Sequence, residues 1–263
     1  MSAALEFDGL IVDLDGVVWL GGEALPGSVA ALAELRDRGV PLVFLTNDPR
    51  SSRAEYSQRL REIGIEADER EIVTSGSALA VWVREREGAG KSAFVIGSRS
   101  LKSEVERAGF ELRNGVHGRD VDVVAVGGHS CFNYEELRIA AQAARRGARL
   151  YAAGRDATFP MPDGPWPGTG AILAAVETAA GVRATVVGKP EPHVFEIARS
   201  LLAGCRRVAI VGDNLDSDIA GGKRAGLTTI LVLSGTAAHD DLRTAAVEPD
   251  LVLDDLAALL DRA

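Results

Sequence analysis

The 263-residue chain carries 29 lysines and arginines against 38 aspartates and glutamates, a formal net charge of −9, and 46% of its residues are hydrophobic. This length allows one large or two modest cores, and the acidic balance argues against general binding to nucleic acids or anionic membranes. Two cysteines, no leader pattern in "MSAALEFDG" and no apolar run of about 20 residues predict a cytoplasmic protein without disulfides.

Short apolar runs alternate with amphipathic stretches along the chain. The runs are rich in Val, Ile and Leu and apolar on both faces, which is typical of parallel strands covered by helices. The stretches place apolar residues on one face, as surface helices do. In chain order the pattern predicts strand 10–13, helix 28–38, strand 42–46, helix 55–64, strands 93–97 and 123–127, helix 134–148, strand 148–154, a helix ending near 180, helix 193–202, and strands 208–213, 229–233 and 250–254.

The order of these elements predicts a doubly wound, Rossmann-like α/β core with a second α/β unit inserted into it. The core is expected to comprise residues 1–78 and 184–263, and the insertion residues 79–183. Within the core, Gly21 and Gly22 are expected to form the turn of a short flap after the first strand.

Polar side chains follow several of the predicted core strands or precede a core helix. Each taken alone is an ordinary turn, capping or surface residue, and Asp216 is expected to cap a helix at 217–225. Open α/β sheets, however, form their sites at the carboxyl ends of the strands, so one pocket would hold the group together. The candidate residues are Asp13, Asp15, Thr46, Asn47, Lys189, Asp213 and Asp218.

Converging carboxylates repel one another, and a divalent cation is the usual remedy. An all-oxygen ligand set suits Mg²⁺ rather than zinc. Beside Mg²⁺ and a lysine, one carboxylate of the "DLD" pair could attack phosphorus, and the other could protonate the leaving oxygen and later deprotonate water. A threonine, the lysine and backbone N–H groups would bind the phosphoryl oxygens.

Four motifs, in order, resemble those of haloacid dehalogenase (HAD) superfamily phosphatases: "DLDG", "LTND", "GKP" and "GDNLDSD". The resemblance implies that Asp13 is the nucleophile and that Asp15 is the acid and base, with its backbone carbonyl on Mg²⁺. It further implies that Asp13 and Asp213 bind Mg²⁺, that Asp218 supports the metal shell, and that Thr46, Asn47 and Lys189 bind phosphate.

The position of the insertion, between the second and third motifs, resembles a C2-type cap of the NagD-like, or p-nitrophenylphosphatase, branch. Phosphatases of that branch act on glycerol phosphate, phosphoglycolate, nucleotides or pyridoxal phosphate, so a small phosphorylated metabolite is expected here, and a homodimer through the cap stays open. The chain departs from the pattern of the branch at three positions. Asp48 stands where "TNN" has its last asparagine, Gly154 stands where "ATNxD" has asparagine, and His129 stands in "GGHS" where "GxD" is usual.

Three cap residues are candidates for substrate specificity. Arg155 is expected to bind a second anionic or strongly polar end of the substrate, or else to pair with an acid on the surface. Asp156 is expected to act beside it, or to form a turn. His129 is expected to contribute to specificity or to cap a loop.

Other functions fit parts of this pattern. A phospho-receiver signalling module combines similar residues, but in another order and in about half the length. A hydrolytic dehalogenase would not need Asp15, and a phosphomutase or other phosphoryl-transfer relative usually carries its cap after the first motif. The leading hypothesis is therefore a Mg²⁺-dependent phosphomonoester hydrolase that forms an aspartyl phosphate.

Overall fold

The computed structural model describes residues 7–159 and 163–261. Residues 1–6, on which the expectation of no leader partly rests, and 160–162 lie outside these ranges. The chain forms two compact units: the first contains the described residues up to Thr46, Arg53–Val73 and those from Lys189 onward, and the second contains Asn47–Ser52 and Thr74–Gly188. The long segment of the second unit, Thr74–Gly188, begins five residues before the boundary expected at 79 and ends five residues after the one expected at 183, and the unit also includes Asn47–Ser52.

The elements of the chain follow the predicted alternation of strands and helices. In chain order they are β1 (Gly9–Asp13), β2 (Trp19–Leu20), β3 (Glu23–Ala24), α1 (Ser28–Asp37), β4 (Leu42–Thr46), α2 (Arg53–Glu62), β5 (Ile72–Thr74), α3 (Ser75–Glu87), β6 (Ser92–Ile96), α4 (Arg99–Arg107), β7 (Glu111–Leu112), β8 (Val123–Val126), α5 (Tyr134–Arg145), β9 (Arg149–Ala152), β10 (Thr158–Phe159), β11 (Trp166–Pro167), α6 (Thr169–Ala180), β12 (Thr185–Val186), α7 (Pro192–Ser200), β13 (Val208–Gly212), α8 (Gly221–Arg224), β14 (Thr228–Val232) and β15 (Leu251–Leu253).

The first unit is built on a sheet with the strand order β15-β14-β13-β1-β4-β5. Strand β1 pairs in parallel with both β13 and β4, and β14 pairs in parallel with β13 and β15. The chain therefore winds outward from β1 in one direction through β4 and β5 and in the other through β13, β14 and β15. This order confirms the predicted doubly wound sheet, and the buried residues of β1, β4 and β13 are apolar up to the strand ends.

The second unit has its own parallel sheet, with the order β12-β9-β8-β6-β7, and its own core. Phe94 and Val124 from the sheet pack with Ile139 of α5 and Leu173 of α6. This confirms a separate α/β unit within the chain. Within the described part of the chain, no helix has the length and apolar character needed to cross a bilayer.

Local sequence predicted one turn of the first unit correctly but did not reveal two of the helices. Helices α3 and α4 were not predicted. Ser75 and Gly76 weaken the helical signal at the start of α3, and the residues of α4 are mostly polar. Hydrogen bonds at their N-termini, including the reciprocal pair between Thr74 and Ser77, compensate. The two-residue turn between β2 and β3 is formed by Gly21 and Gly22, both at positive φ, as predicted.

Candidate active site

The acidic candidates meet where the winding of the first sheet reverses, between β1 and β13. Asp13 is the last residue of β1, Asp213 directly follows β13, and Asp218 lies in the π-helical segment Leu215–Ala220. One carboxylate oxygen from each lies within 4.8 Å of the other two, and all three side chains are buried. The gap outside the strand ends at such a reversal is where open α/β sheets bind ligands.

Glycines allow the backbone to approach these carboxylates closely. A Cβ atom at Gly16, whose φ is +78°, would collide with the Asp213 carboxylate. A Cβ at Gly235 would meet the same carboxylate, and one at Gly212 would collide with the side chain of Asp218. The "DG" of the first motif and the "GD" of the fourth are therefore steric requirements of the acidic cluster.

Lys189 is the cation of this cluster. Its Nζ atom lies 2.8 Å from Asp13 Oδ1 and 2.6 Å from Asp218 Oδ1, and its side chain is only 3% exposed. Burial by itself would lower the pKa of Lys189, but the charges of Asp13 and Asp218 outweigh it and raise that pKa. The lysine therefore stays charged and fixes the two carboxylates around it.

The carboxylates are crowded enough to perturb one another. Burial raises the pKa of Asp13 well above its usual range, and the charge of Asp218 adds to this, while Lys189 acts in the opposite direction. Burial and Asp218 also raise the pKa of Asp213. Three buried carboxylates with one ammonium leave an excess of negative charge, and an all-oxygen group of this kind fits Mg²⁺. Asp13 and Asp213 would hold the ion, and Asp218, whose two oxygens bind Lys189 and the N–H of Asn214, would support it. The backbone carbonyl of Asp15 as a further ligand stays a prediction.

Two residues that sequence reasoning missed hold the acidic cluster in place. The backbone N–H and the hydroxyl of Thr236 donate to Asp213 Oδ2 at 2.6 and 2.7 Å. The backbone N–H of Asn214 donates to Asp218 Oδ2 at 3.1 Å. The "SGT" that follows β14 was the available signal, since it is another polar group at a carboxyl end of this sheet.

The expected capping role of Asp216 is wrong. The side chain of Asn214 caps the segment that follows, because its Oδ1 accepts from the N–H groups of Asp216 and Ser217 at 3.0 and 2.9 Å. Asn is as good an N-cap as Asp, and the helical segment here is capped two residues earlier in the chain than expected.

Asp15 and Thr46 occupy different surroundings near Asp13. The carboxylate of Asp15 is exposed and accepts a 2.9 Å hydrogen bond from the indole N–H of Trp19; it is not part of the cluster of three found among the described residues. Thr46 is buried at the end of β4, directly after Leu45, which is the residue of that strand paired with Asp13. The buried nucleophile candidate, Asp13, thus has an exposed acid two residues along the chain and a buried hydroxyl at the end of the neighbouring strand, β4.

Asn47 is placed in the second unit, where its side-chain amide donates to Asp156 Oδ2 at 2.8 Å. The next residue, Asp48, binds the guanidinium of Arg50 through both carboxylate oxygens, at 2.8 and 3.0 Å. That guanidinium lies 4.1 Å above the ring of Phe159. The charge added by Asp48 is therefore compensated within the same loop. The contacts of Asn47 and Arg50 link residues 47–50 to the segment that contains Asp156 and Phe159.

The other two cap candidates are also paired. Arg155 makes a bidentate ion pair with Glu177, with distances of 2.9 and 2.8 Å, and the buried Glu177 carboxylate also accepts from Arg183 and from the N–H of Ala184. Nε2 of His129 lies 3.1 Å from Glu136 Oε2. The pairing with an acid that was considered for Arg155 is present, while a role of these residues in specificity stays a prediction.

Comparisons with known proteins identify the family and the fold. A family model described as haloacid dehalogenase-like hydrolase matches residues 10–111, and a second HAD-hydrolase-like model matches residues 186–259. An acid sugar phosphatase of Staphylococcus haemolyticus is 32% identical over 251 residues, covering 95% of this chain and 94% of that protein.

Solved structures give the same result for the fold. A p-nitrophenyl phosphatase from Archaeoglobus fulgidus superposes with a TM-score of 0.91 at 31% identity, covering 98% of this chain and all of that one. A glycerol phosphate phosphatase from Mycobacterium tuberculosis, solved with magnesium, gives 0.90 at 34% identity, covering 97% of this chain and 77% of that one. The resemblance drawn from the motifs, including the NagD-like branch with a core and a cap, is confirmed.

The Glu177 ion pairs predict an acid-sensitive contribution to stability. The hydrogen bonds from Arg155 lower the pKa of Glu177 to about 2, below its usual 4.5. A depressed pKa stabilises the fold at pH values above 4.5, and this contribution is lost as the pH falls from 4.5 toward 2. Glu177→Gln should therefore lower the free energy of unfolding by up to about 3 kcal/mol at pH 7 and by progressively less below pH 4.5.

Urea unfolding of both proteins between pH 3 and pH 7 measures this difference. Glu135→Gln is the matched control, because Glu135 also pairs with an arginine, Arg138, but on the exposed surface, where such pairs contribute little. A difference between wild type and Glu177→Gln that stays constant over the whole pH range would contradict the assignment.

Proposed function

The chain belongs to the haloacid dehalogenase-like hydrolases, and we propose that it is a Mg²⁺-dependent phosphatase of small phosphorylated metabolites that works through an aspartyl phosphate on Asp13. Hydrolysis of phosphoric monoesters is the activity of its curated relatives. The observation that carries the proposal is the contact of the buried Lys189 ammonium with Asp13, 2.8 Å away, beside Asp213 and Asp218 at the sheet reversal.

The residues of the chain divide the reaction between them. A carboxylate oxygen of Asp13 attacks phosphorus, the bond from phosphorus to the ester oxygen breaks, and Asp15 donates its proton to the departing oxygen. Lys189 and Thr46 bind the phosphoryl oxygens as their charge redistributes. Asp13 and Asp213, supported by Asp218, would hold Mg²⁺, which would supply positive charge for the same oxygens.

The second half of the reaction returns the enzyme to its starting state. Asp15, now ionised, removes a proton from a water molecule, and the resulting hydroxide attacks phosphorus. The bond between phosphorus and the Asp13 oxygen breaks, inorganic phosphate leaves, and Asp15 again carries a proton. Lys189 keeps Asp13 in place in both halves, because its ammonium is bound on its other side to Asp218.

The alternative functions fit the site less well. A hydrolytic dehalogenase has no use for Asp15, and a phospho-receiver module would not need a second unit with a sheet and core of its own. Phosphoryl transfer to a second substrate shares the first half of the reaction, and the accumulation of inorganic phosphate distinguishes the two.

Sugar or polyol phosphates are the substrate class that we favour. Curated relatives are named acid sugar phosphatases, and a structural relative is a glycerol phosphate phosphatase. The charge of Arg155 is offset by Glu177, which favours a hydroxyl over a second anion as its ligand. A homodimer through the second unit stays a prediction.

The nucleophile can be tested by substitution. Asp13→Asn should reduce phosphate release to below a few per cent of wild type, because an amide cannot attack phosphorus, and should abolish acid-stable labelling by ³²P-phosphorylated substrate in a quenched-flow experiment. Asp216→Asn changes an exposed acid in the π-helical segment of the fourth motif and should leave both readouts unchanged. Substantial turnover by Asp13→Asn would exclude Asp13 as the nucleophile.

Metal dependence provides a separate test. Chelation with EDTA should abolish activity and Mg²⁺ should restore it, while the larger Ca²⁺ should inhibit because its coordination is looser. Mg²⁺ should also raise the thermal midpoint of the wild-type protein, and Asp213→Asn should need a higher Mg²⁺ concentration for both effects. Full turnover by metal-stripped protein, or no thermal shift with Mg²⁺, would refute this part of the proposal.

Arg155 provides the test of specificity. Arg155→Ala should lower kcat/KM for the best sugar phosphate about 10-fold, the equivalent of one charged hydrogen bond, and should barely change hydrolysis of p-nitrophenyl phosphate. Arg138→Ala removes a paired surface arginine of the same unit and serves as the control. Equal losses on both substrates would mean that Arg155 acts only through its ion pair with Glu177.

A further inference from the structure

A hydrogen bond to Asp15 comes from a tryptophan that the reaction scheme does not use. The indole Nε1 of Trp19 donates to Asp15 Oδ1 at 2.9 Å; the indole is fully buried, whereas Asp15 is exposed. We propose that Trp19 is a positioning residue that orients Asp15 for proton transfer. This inference rests on the proposed function, in which Asp15 is the general acid and base.

The backbone between the two residues is folded so that the contact forms. The N–H of Trp19 donates to the carbonyl of Leu14 at 3.2 Å, and the N–H of Gly16 donates to the carbonyl of Trp19 at 2.8 Å. Gly16 adopts a φ of +78°, which only glycine tolerates at low cost. The chain therefore closes a tight loop after Asp13 that brings the indole to the carboxylate four residues before it.

The indole is itself packed against two side chains. The ring of Tyr56 stacks parallel to it, with an interplanar angle of 5° and 6.2 Å between centroids, and the guanidinium of Arg59 lies 4.2 Å above the ring. Both neighbours come from α2. A ring fixed in this way points its N–H in one direction, so it can select one orientation of an otherwise exposed carboxylate.

The chemistry of the indole suits this task. An indole N–H is a donor only and does not exchange its proton with a carboxylate at neutral pH. The hydrogen bond therefore occupies Oδ1 without taking part in the transfer, and Oδ2 is the oxygen that carries the proton. An orientation fixed before the substrate binds contributes to the rate, since general acid–base catalysis requires the acid within hydrogen-bond distance of the atom that it protonates.

A purely structural role would be to satisfy a buried N–H group, and the leaving group separates the two roles. An alkoxide must be protonated as it leaves, whereas p-nitrophenolate leaves without a proton. Loss of a positioned acid therefore affects the kcat/KM of an alkyl phosphate far more than that of p-nitrophenyl phosphate, because kcat/KM reports on the steps up to the first irreversible one. A loss of folded protein lowers both equally.

The test uses Trp19→Phe, which removes the N–H and keeps an aromatic ring next to Tyr56 and Arg59. We expect kcat/KM for glycerol phosphate to fall about 10-fold or more, within the range of general acid catalysis, and kcat/KM for p-nitrophenyl phosphate to change less than about 3-fold. Trp166→Phe is the matched control, because Trp166 also donates its indole N–H to a carboxylate, that of Asp163, at 2.8 Å.

Two further variants keep the test decisive. Should Trp19→Phe fold poorly, benzothienylalanine at position 19 replaces only the N–H by sulfur and keeps the shape of the indole. In an Asp15→Asn background, the change at position 19 should cause no additional selective loss, since the residue through which it acts has been altered.

The possible results are distinguishable. The role of Trp19 would be overturned if Trp19→Phe lost activity equally on both substrates, or lost none, while Asp15→Asn was selectively impaired on glycerol phosphate. That result would leave the proposed function intact. A wild-type protein that hydrolyses neither substrate and forms no phosphoenzyme would overturn the proposed function, and the role of Trp19 with it.

Discussion

Three carboxylates lie within 4.8 Å of one another in the interior of the first unit, and their mutual repulsion is the constraint on which the site depends. Moving each ion out of water costs several kcal/mol even after relaxation, so the arrangement needs compensation. Lys189 provides one positive charge in contact with two of the carboxylates. The remaining negative charge is what a divalent cation would neutralise, and the proposal of Mg²⁺ at this cluster rests on it.

The exposed Asp15 differs from the cluster in both solvation and partners. Asp13 is desolvated and bound to an ammonium, whereas Asp15 is reached by solvent and bound to a neutral indole N–H. Two carboxylates that are close in sequence can perform different steps when their surroundings differ in this way. The difference is local, because among residues 13–19 Asp15 is the one exposed residue, while Leu14 and Val17 beside it are buried.

Much of the fold could be predicted because strand and helix periodicities are local properties. Strand β4 was predicted to the residue, and the other predicted elements end within about three residues of those observed. The convergence of Asp13 and Asp213 also followed from sequence, since β1 and β13 belong to one parallel sheet and their carboxyl ends meet at one edge. Lys189 instead lies between β12, a strand of the second sheet, and α7, so the expectation that it follows a strand of the same sheet is wrong. Thr236 does follow a strand of the first sheet, but its support of Asp213 was missed because "SGT" reads as an ordinary turn.

Residues around the acidic cluster of the first unit and residues 48 and 50 of the second unit differ in how well they tolerate substitution. This difference affects how substrate preference can change. Around Asp213 and Asp218, an added Cβ at Gly16, Gly212 or Gly235 has no space, so the cluster tolerates little change. The second unit also contains a pair that compensates locally, since the charge of Asp48 is neutralised by Arg50 two residues away. Substitutions at positions 48 and 50 therefore alter partly exposed polar groups without disturbing buried charge. Preference for a leaving group can therefore diverge while the chemistry of phosphoryl transfer is retained.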